Sequence, residues 1–350
     1  AEDGIMCQWI PVHATQRENY RILIRSFLDV FENTSLWFYE QSSVLIGRVS
    51  DRKVPLEEIV RRLEAPEVSG HLQSIWSPGK KGMKSAPPRA SRLATLALSG
   101  YRMGPEALRR YVDGVEAMTD DWPILEFSEY VPVEALRYDP KGPMDQLFSR
   151  YLLGLLKDFA RARPQVPPMV DYSGSGGSET NLRRAIEAET ICLEGRMAQS
   201  QGRFRVAIEH FDRARQRYPD SIKAALLGDR ARYAYHAAVA EQGLGSRGSL
   251  RQAERSAREV LRLRPDLGRG YQLLGNVQMA RKEFVPAEEN FRKALERNPY
   301  DYLSMANLGL LLNRTGREEQ GQEWIRKAMA IEPQLADQVE NRKPDSSPED

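Results

Sequence analysis

Apolar positions in the first hundred residues follow two different periods. Ile5-Met6-Cys7-Gln8-Trp9-Ile10 is a nearly continuous apolar run, which predicts a buried strand over 4–12. Thr15-Gln16-Arg17-Glu18 has the form of a capping box, and Tyr20, Leu23, Ile24, Phe27, Leu28 and Phe31 follow at helical spacing. Leu36-Trp37-Phe38-Tyr39 and Val44-Leu45-Ile46-Gly47 predict two strands, joined tightly through Glu40-Gln41-Ser42-Ser43. The order strand, helix, strand, strand suits the end of an α/β sheet that closes with an antiparallel pair. Short helices over 55–63, 92–99 and 105–113 and an apolar helix over 145–161 complete this part.

The second half is helical throughout and carries a longer period. Pro265, Pro299 and Pro333 lie 34 residues apart. Before Pro299 stand Tyr271, Leu274, Gly275, Ala287, Phe291 and Ala294; before Pro333, at equal offsets, stand Met305, Leu308, Gly309, Gly321, Ile325 and Ala328. Small residues mark where two helices approach closely, large apolar ones fill the gap between neighbours, and the proline ends each second helix. This pattern resembles the tetratricopeptide repeat, a helix-turn-helix unit that stacks into a solenoid. The register reaches back to Pro219, behind Ala207, Phe211 and Ala214. Pro219 and Pro265 are 46 residues apart, 12 more than one period, and Gln242 to Ser249 is the expected place for that insertion. About four repeats over 181–339 follow.

In such a stack the first helix of each unit builds the concave face. Arg269, Gln272, Asn276, Asn307 and Asn313 occupy first-helix positions, so they are candidate groove residues for a protein or peptide partner, with a solvated face as the competing account. The Lys/Asn set with which some tetratricopeptide domains clamp a C-terminal carboxylate is incomplete here.

Composition narrows the classes. Hydrophobic content of 41% and charged content of 29% describe a globular chain long enough for two domains. The balance of 51 basic against 49 acidic residues gives no general reason to expect nucleic acid or an anionic membrane. The two cysteines, Cys7 and Cys192, make no disulfide framework, and His13, His71, His210 and His236 show no metal-ligand spacing. No apolar run approaches a membrane span and no signal peptide is present, so a cytoplasmic location is expected. Residues 77–92 read as a solvated basic loop, 141–180 as a helix and flexible linker, and 340–350 as a disordered tail. The linker's Ser173 to Ser178 stretch lacks the Lys-Ser/Thr ending of a phosphate loop.

Residues 1–140 resemble the C-terminal part of the spermidine synthase family, the polyamine aminopropyltransferases. The resemblance rests on Gly4 to Pro11, Phe27-Leu28-Asp29-Val30-Phe31, Val44-Leu45-Ile46-Gly47 and Thr119-Asp120-Asp121-Trp122-Pro123-Ile124-Leu125-Glu126-Phe127. It implies a partial Rossmann-like methyltransferase-type sheet: the fifth strand, its helix and the last hairpin. Gln8 then sits near a substrate-contacting Gln of the family, although a polar residue ending a strand accounts for it as well. Asp120 and Asp121 are paired carboxylates able to hold a cationic amine, or else a turn before Pro123; Glu126 follows them. The family's Gly-rich turn, ribose-binding acid and catalytic Asp have no counterpart here. The expectation is a fragment, starting inside a domain, that binds no decarboxylated S-adenosylmethionine and is not catalytic by itself. Some fused relatives carry membrane helices that this stretch lacks. The rival expectation is a tetratricopeptide adaptor whose α/β part is a structural remnant.

Overall fold

A computed structural model of the chain describes residues 4–12, 15–39, 42–69, 89–118, 153–173, 177–245, 249–333 and 335. They divide into two compact units, Ala1–Gly228 and Asp229–Asp350. The expected loop over 77–88, the acidic-proline segment with Asp120, Asp121 and Glu126, and the tail over 340–350 lie outside the described residues.

The first unit is built on strand β1 (Ile5–Pro11), helix α1 (Arg17–Val30) and the hairpin of β2 (Asn33–Tyr39) and β3 (Ser42–Arg48). A two-residue strand β4 (Val54–Pro55) leads into α2 (Leu56–Glu64). Then come α3 (Ala90–Leu98), β5 (Tyr101–Met103) and α4 (Pro105–Tyr111). A helix α5 over 153–161 precedes β6 (Val170–Asp171), which pairs in parallel with β4. The main sheet has the order β1-β3-β2-β5, and each of its ladders is antiparallel. β1 and β2 therefore run the same way on either side of β3, as the strand-helix-strand-strand order anticipates. Among the described residues there is no doubly wound parallel sheet.

One expectation fails in part. β1 is buried only at Ile10: among the described residues it borders only β3, and Ile5 (63%), Met6 (45%) and Trp9 (56%) stay exposed, because strand apolarity reports burial only when both neighbours exist. α1 begins at Arg17 behind Gln16, with no side-chain cap; its N-terminal turn is held instead by Arg17, whose guanidinium donates to Asp158 of α5 at 2.6 and 3.2 Å.

The sheet is covered on both faces. Leu36, Phe38 and Leu45 pack with Tyr20, Ile24 and Leu28 of α1 and with Leu155 and Phe159 of α5. Tyr20 anchors this layer by donating its hydroxyl to Ser43 Oγ at 2.8 Å. On the opposite face Trp37 and Tyr101 pack with Leu56, Ala94 and Leu98.

The tetratricopeptide-like hairpins begin with α6 (Ser178–Ser200) and α7 (Phe204–Arg217). α6 is buried over most of its circumference, with Arg183, Glu187 and Glu194 left on the outward strip. Leu182 and Ile186 join the Trp37 cluster, Leu193 joins the Phe38 cluster, and Gly195 lies under Phe211 of α7. This is why the first unit extends to Gly228 although composition marks 141–180 as a linker: the helix after the Gly/Ser stretch packs back onto the sheet. Polar groups come with it. Arg102 of β5 is 1% exposed, donates to Ser99 O at 2.9 Å, and lies in the field of Glu189, which pairs with Lys223. Desolvation lowers the pKa of Arg102, and Glu189 opposes that shift.

Next come α8 (Ile222–Gly243), α9 (Leu250–Leu263), α10 (Arg269–Ala280), α11 (Phe284–Arg297), α12 (Tyr302–Arg314) and α13 (Glu318–Ile331). The division between the units falls inside α8. Most of the extra length in the second repeat lengthens this helix, which has 22 residues against 12 in α10 and 13 in α12, so the insertion is not confined to 242–249.

One contact recurs in three hairpins. A glycine of the first helix faces a large side chain 16 residues later: Gly195 with Phe211, Gly275 with Phe291, Gly309 with Ile325. A Cβ on those glycines would stand 2.6, 2.7 and 2.7 Å from the partner side chain, so no larger residue fits unless the helices separate.

Two outcomes are expected. Gly195→Leu should cost about 1–3 kcal/mol by overpacking, read as a lower melting temperature of the first unit, and Gly275→Leu should do the same to the second; a Leu tolerated at either site would contradict the close approach. Burial raises the thiol pKa of Cys192 to about 12, whereas Cys7 is exposed. Because the raised value keeps Cys192 protonated at pH 8, a thiol reagent should modify one cysteine in native protein and two after unfolding. Two fast modifications in the native state would show that α6 is not buried.

Candidate functional site

The first-helix residues singled out by the repeat register lie in the second unit, and most of them meet one another. Arg269 begins α10, where its guanidinium pairs with Glu241 of α8 and donates to Gln272 Oε1. Gln272 is 1% exposed, and its amide donates onward to Asp301 Oδ1 at 3.3 Å. Asp301 is the N-cap of α12: its carboxylate accepts from Ser304 N at 3.4 Å and from Ser304 Oγ at 2.6 Å. A chain of polar contacts thus crosses three successive first helices, from Glu241 through Arg269, Gln272 and Asp301 to Ser304.

One turn along, Asn307 Nδ2 donates to Asn276 Oδ1 at 2.8 Å. Both residues are half-buried. Each carboxamide has two acceptor lone pairs and two N–H groups, so this single bond leaves Asn276 its N–H groups and Asn307 its oxygen. Side by side they form a donor-acceptor edge of the kind an extended backbone satisfies. Asn313 does not join them. Its side-chain oxygen is buried against Gly321, in the α12/α13 contact, without a hydrogen-bond partner.

Two of the five candidates are therefore not simple groove-lining groups. Gln272 is enclosed, and Asn313 belongs to a helix-helix contact; the reason in both cases is the short distance between neighbouring helices. Glu241 and Asp301, which complete the ladder, escape a reading by repeat offset. The long α8 obscures the place of Glu241 in the register, while Asp301-x-x-Ser304 is legible as an N-cap. Beside the ladder, burial pushes the Tyr233 hydroxyl upward in pKa, and Arg269 and Arg264 pull against it.

Gln8 lies elsewhere, exposed on β1, where its amide donates to the carbonyl of Trp9 at 2.9 Å. Asp120 and Asp121 are outside the described residues. Among the described residues no group of three His, Cys, Asp or Glu side chains could hold a metal ion, and no helix is long and apolar enough to cross a membrane. The geometry on α10 and α12 suits recognition by hydrogen bonds.

Comparisons with known proteins bear on these hairpins. Residues 303–335, which hold α13 and all of α12 but Tyr302, match the model of the tetratricopeptide repeat. The chain carries such a repeat there. A comparison with curated protein sequences finds no match. Among solved structures, MamA from Desulfovibrio magneticus RS-1 is similar at 18% identity, covering 55% of this chain and 89% of its own, with a TM-score of 0.30. The TPR2AB domain of yeast Sti1, solved in a pHSP90 complex, is similar at 12% identity over 59% and 84%, with a TM-score of 0.26. The Rap conjugation gene regulator of plasmid pLS20, solved with a Phr peptide, stands at 15% over 81% and 74%, with a TM-score of 0.33. Scores of this size describe no shared overall fold; the repeat assignment rests on the family match and on the hairpins.

The amide pair makes a checkable prediction. Asn276→Ala or Asn307→Ala alone leaves the other amide without its partner and should cost about 0.5–1.5 kcal/mol. The double change should cost less than the sum, as expected for groups in direct contact. Urea unfolding of the four proteins measures this, and strictly additive losses would contradict the pair.

Proposed function

We propose that the chain is a protein-interaction module. Its tetratricopeptide helices take an extended segment of a partner against the first-helix face of α10 and α12, through Asn276 and Asn307, with Arg269 at one margin. The observation that carries this reading is the Asn276–Asn307 pair. Packing requires no amide there, yet two are held in register on adjacent repeats, with donor and acceptor capacity left over. The exposed Leu303, 37% accessible in the first turn of α12, supplies apolar contact next to that edge. Gln272 and Asp301 act behind it as the scaffold that fixes the spacing of the two helices. Preorganisation of this kind lowers the entropy cost of binding a flexible segment.

The α/β segment is read as a descendant of the C-terminal part of a spermidine synthase-like aminopropyltransferase, without catalytic function of its own. Support for this descent comes from the quoted sequence segments and from the order β1-α1-β2-β3 with β3 antiparallel between its neighbours. In this reading Gln8, Asp120 and Asp121 are remnants of a polyamine site rather than working residues. The alternative, a non-enzymatic tetratricopeptide scaffold or adaptor whose α/β segment is a structural remnant, predicts the same binding.

The test is selection of peptides on the immobilised full chain from a random display library. Convergent sequences should emerge, and their binding should fall at least tenfold in the Asn276→Ala/Asn307→Ala double variant while helicity is retained. Selection without convergence, or peptides held equally by the variant, would remove this face as the site. Incubation with decarboxylated S-adenosylmethionine and putrescine should give no spermidine above a protein-free control; turnover would overturn the reading of the α/β segment.

A further inference from the structure

A second feature lies in the first unit. A cleft of about 830 Å³ opens between the end of α5, the C-terminal half of α6 and the start of α7. Its volume is in the range of small-molecule sites. The floor is apolar, from Ala160, Met197, Ala198 and Val206. The rim is cationic: Lys157 and Arg161 from α5, Arg163 just beyond it, and Arg203 at the entry to α7.

Ion pairs tie Arg17, Arg61, Arg62, Arg217, Arg262, Arg264, Arg292 and Arg317 to carboxylates. Lys157, Arg161, Arg163 and Arg203 have no ion-pair or side-chain hydrogen-bond partner among the described residues. The cleft's one carboxylate, Glu194, lies 3.3 Å from His210 Nδ1. Four permanent positive charges therefore face one negative charge. A cleft in the second unit differs: there Glu254 binds both Arg258 and Arg281, at 2.5 and 2.7 Å.

Two backbone features point into the same cleft. Arg163 has φ of 42°, one of two non-glycine residues with positive φ among the described residues. That left-handed conformation is unfavourable for an arginine, and it turns the chain at the cleft's rim. Across from it, α7 starts at Phe204 with no side-chain cap and no acid in its first turn, and Arg203 and Val206 of that turn line the wall. An uncapped helix start offers N–H groups and positive potential to an anion. Arginines add planar, forked donors that match phosphate oxygens in pairs.

We propose that this cleft binds a small organic phosphate, a phosphate or diphosphate ester whose apolar or aromatic body rests on Met197 and Val206. Guanidinium forks and an uncapped helix start at one rim favour a compact, multiply charged group over the spread carboxylates of a peptide. The site is independent of the peptide face on α10 and α12, so either proposal stands if the other fails.

The test uses the full chain and adenosine triphosphate as probe, followed by isothermal titration at 150 mM salt. Saturable binding at one site per chain is expected, weakened at least tenfold in Arg161→Glu/Arg203→Glu. The control Arg255→Glu/Arg258→Glu, in the other cleft, should bind as the parent does. Should the charge reversals unfold the first unit, the neutral Arg161→Gln/Arg203→Gln pair takes their place, with the same expectation. Absence of saturable binding overturns the proposal, as does binding that the cleft variants leave unchanged. A hexaglutamate peptide that displaces the nucleotide at equal concentration overturns it in favour of an acidic peptide ligand; failure of the peptide to compete supports the phosphate.

Discussion

Burial of α6 against three surfaces at once is the constraint from which the first unit follows. One stretch of this helix, through Leu182 and Ile186, covers the Trp37 face of the sheet, while Leu193 reaches the core on the Phe38 face. Gly195 meanwhile lets α7 approach through Phe211. A helix that must satisfy three surfaces at once has a wide buried face, and the polar strip left over is narrow, carrying Arg183, Glu187 and Glu194. Enclosure also brings Glu189 inside, where Lys223 and Arg102 stand near it. Removing one charge of such a group would leave the others buried and uncompensated.

The same physical device, a glycine beneath a large side chain, sets the helix spacing in the second unit, and the spacing in turn creates the proposed function. Because Gly275 admits Phe291 and Gly309 admits Ile325, α10 and α12 are presented by equivalent hairpins, and the amides of Asn276 and Asn307 come within 2.8 Å. The ladder from Glu241 to Ser304 then ties successive first helices by hydrogen bonds rather than by bulk. Satisfied polar groups of this kind fix geometry more than they add stability.

Much of this was legible in the residues, and the failures have physical causes. The proline register and the small-to-large spacing located the hairpins, because those positions are dictated by contact between adjacent helices. The strand-helix-strand-strand order was also legible, since strand and helix periods differ. The unit boundary was not: Ser173 to Ser178 reads as a linker by composition, but nothing local to that stretch records that α6 returns to the sheet. Exposure of Ile5, Met6 and Trp9 was hidden for the same reason, as burial of a strand depends on its neighbours. The cationic cleft was invisible too. Lys157 and Arg161 look like ordinary surface charges on one helix, and Arg203 is 42 residues beyond Arg161 in the chain; only the fold brings them together.

The central claim is that α6 and α7, although they have the form of a repeat, belong energetically with the sheet. Residue-resolved hydrogen exchange on the intact chain, followed across a series of sub-denaturing urea concentrations, tests this most directly. The account predicts that amides of α6 and α7 open with the same free energy and urea dependence as those of β2 and β3, and separately from those of α10 to α13. If α6 and α7 instead exchange in step with α10 to α13 while β2 and β3 remain protected, the first repeat belongs with the other repeats, and the account of α6 as the shared core element is wrong.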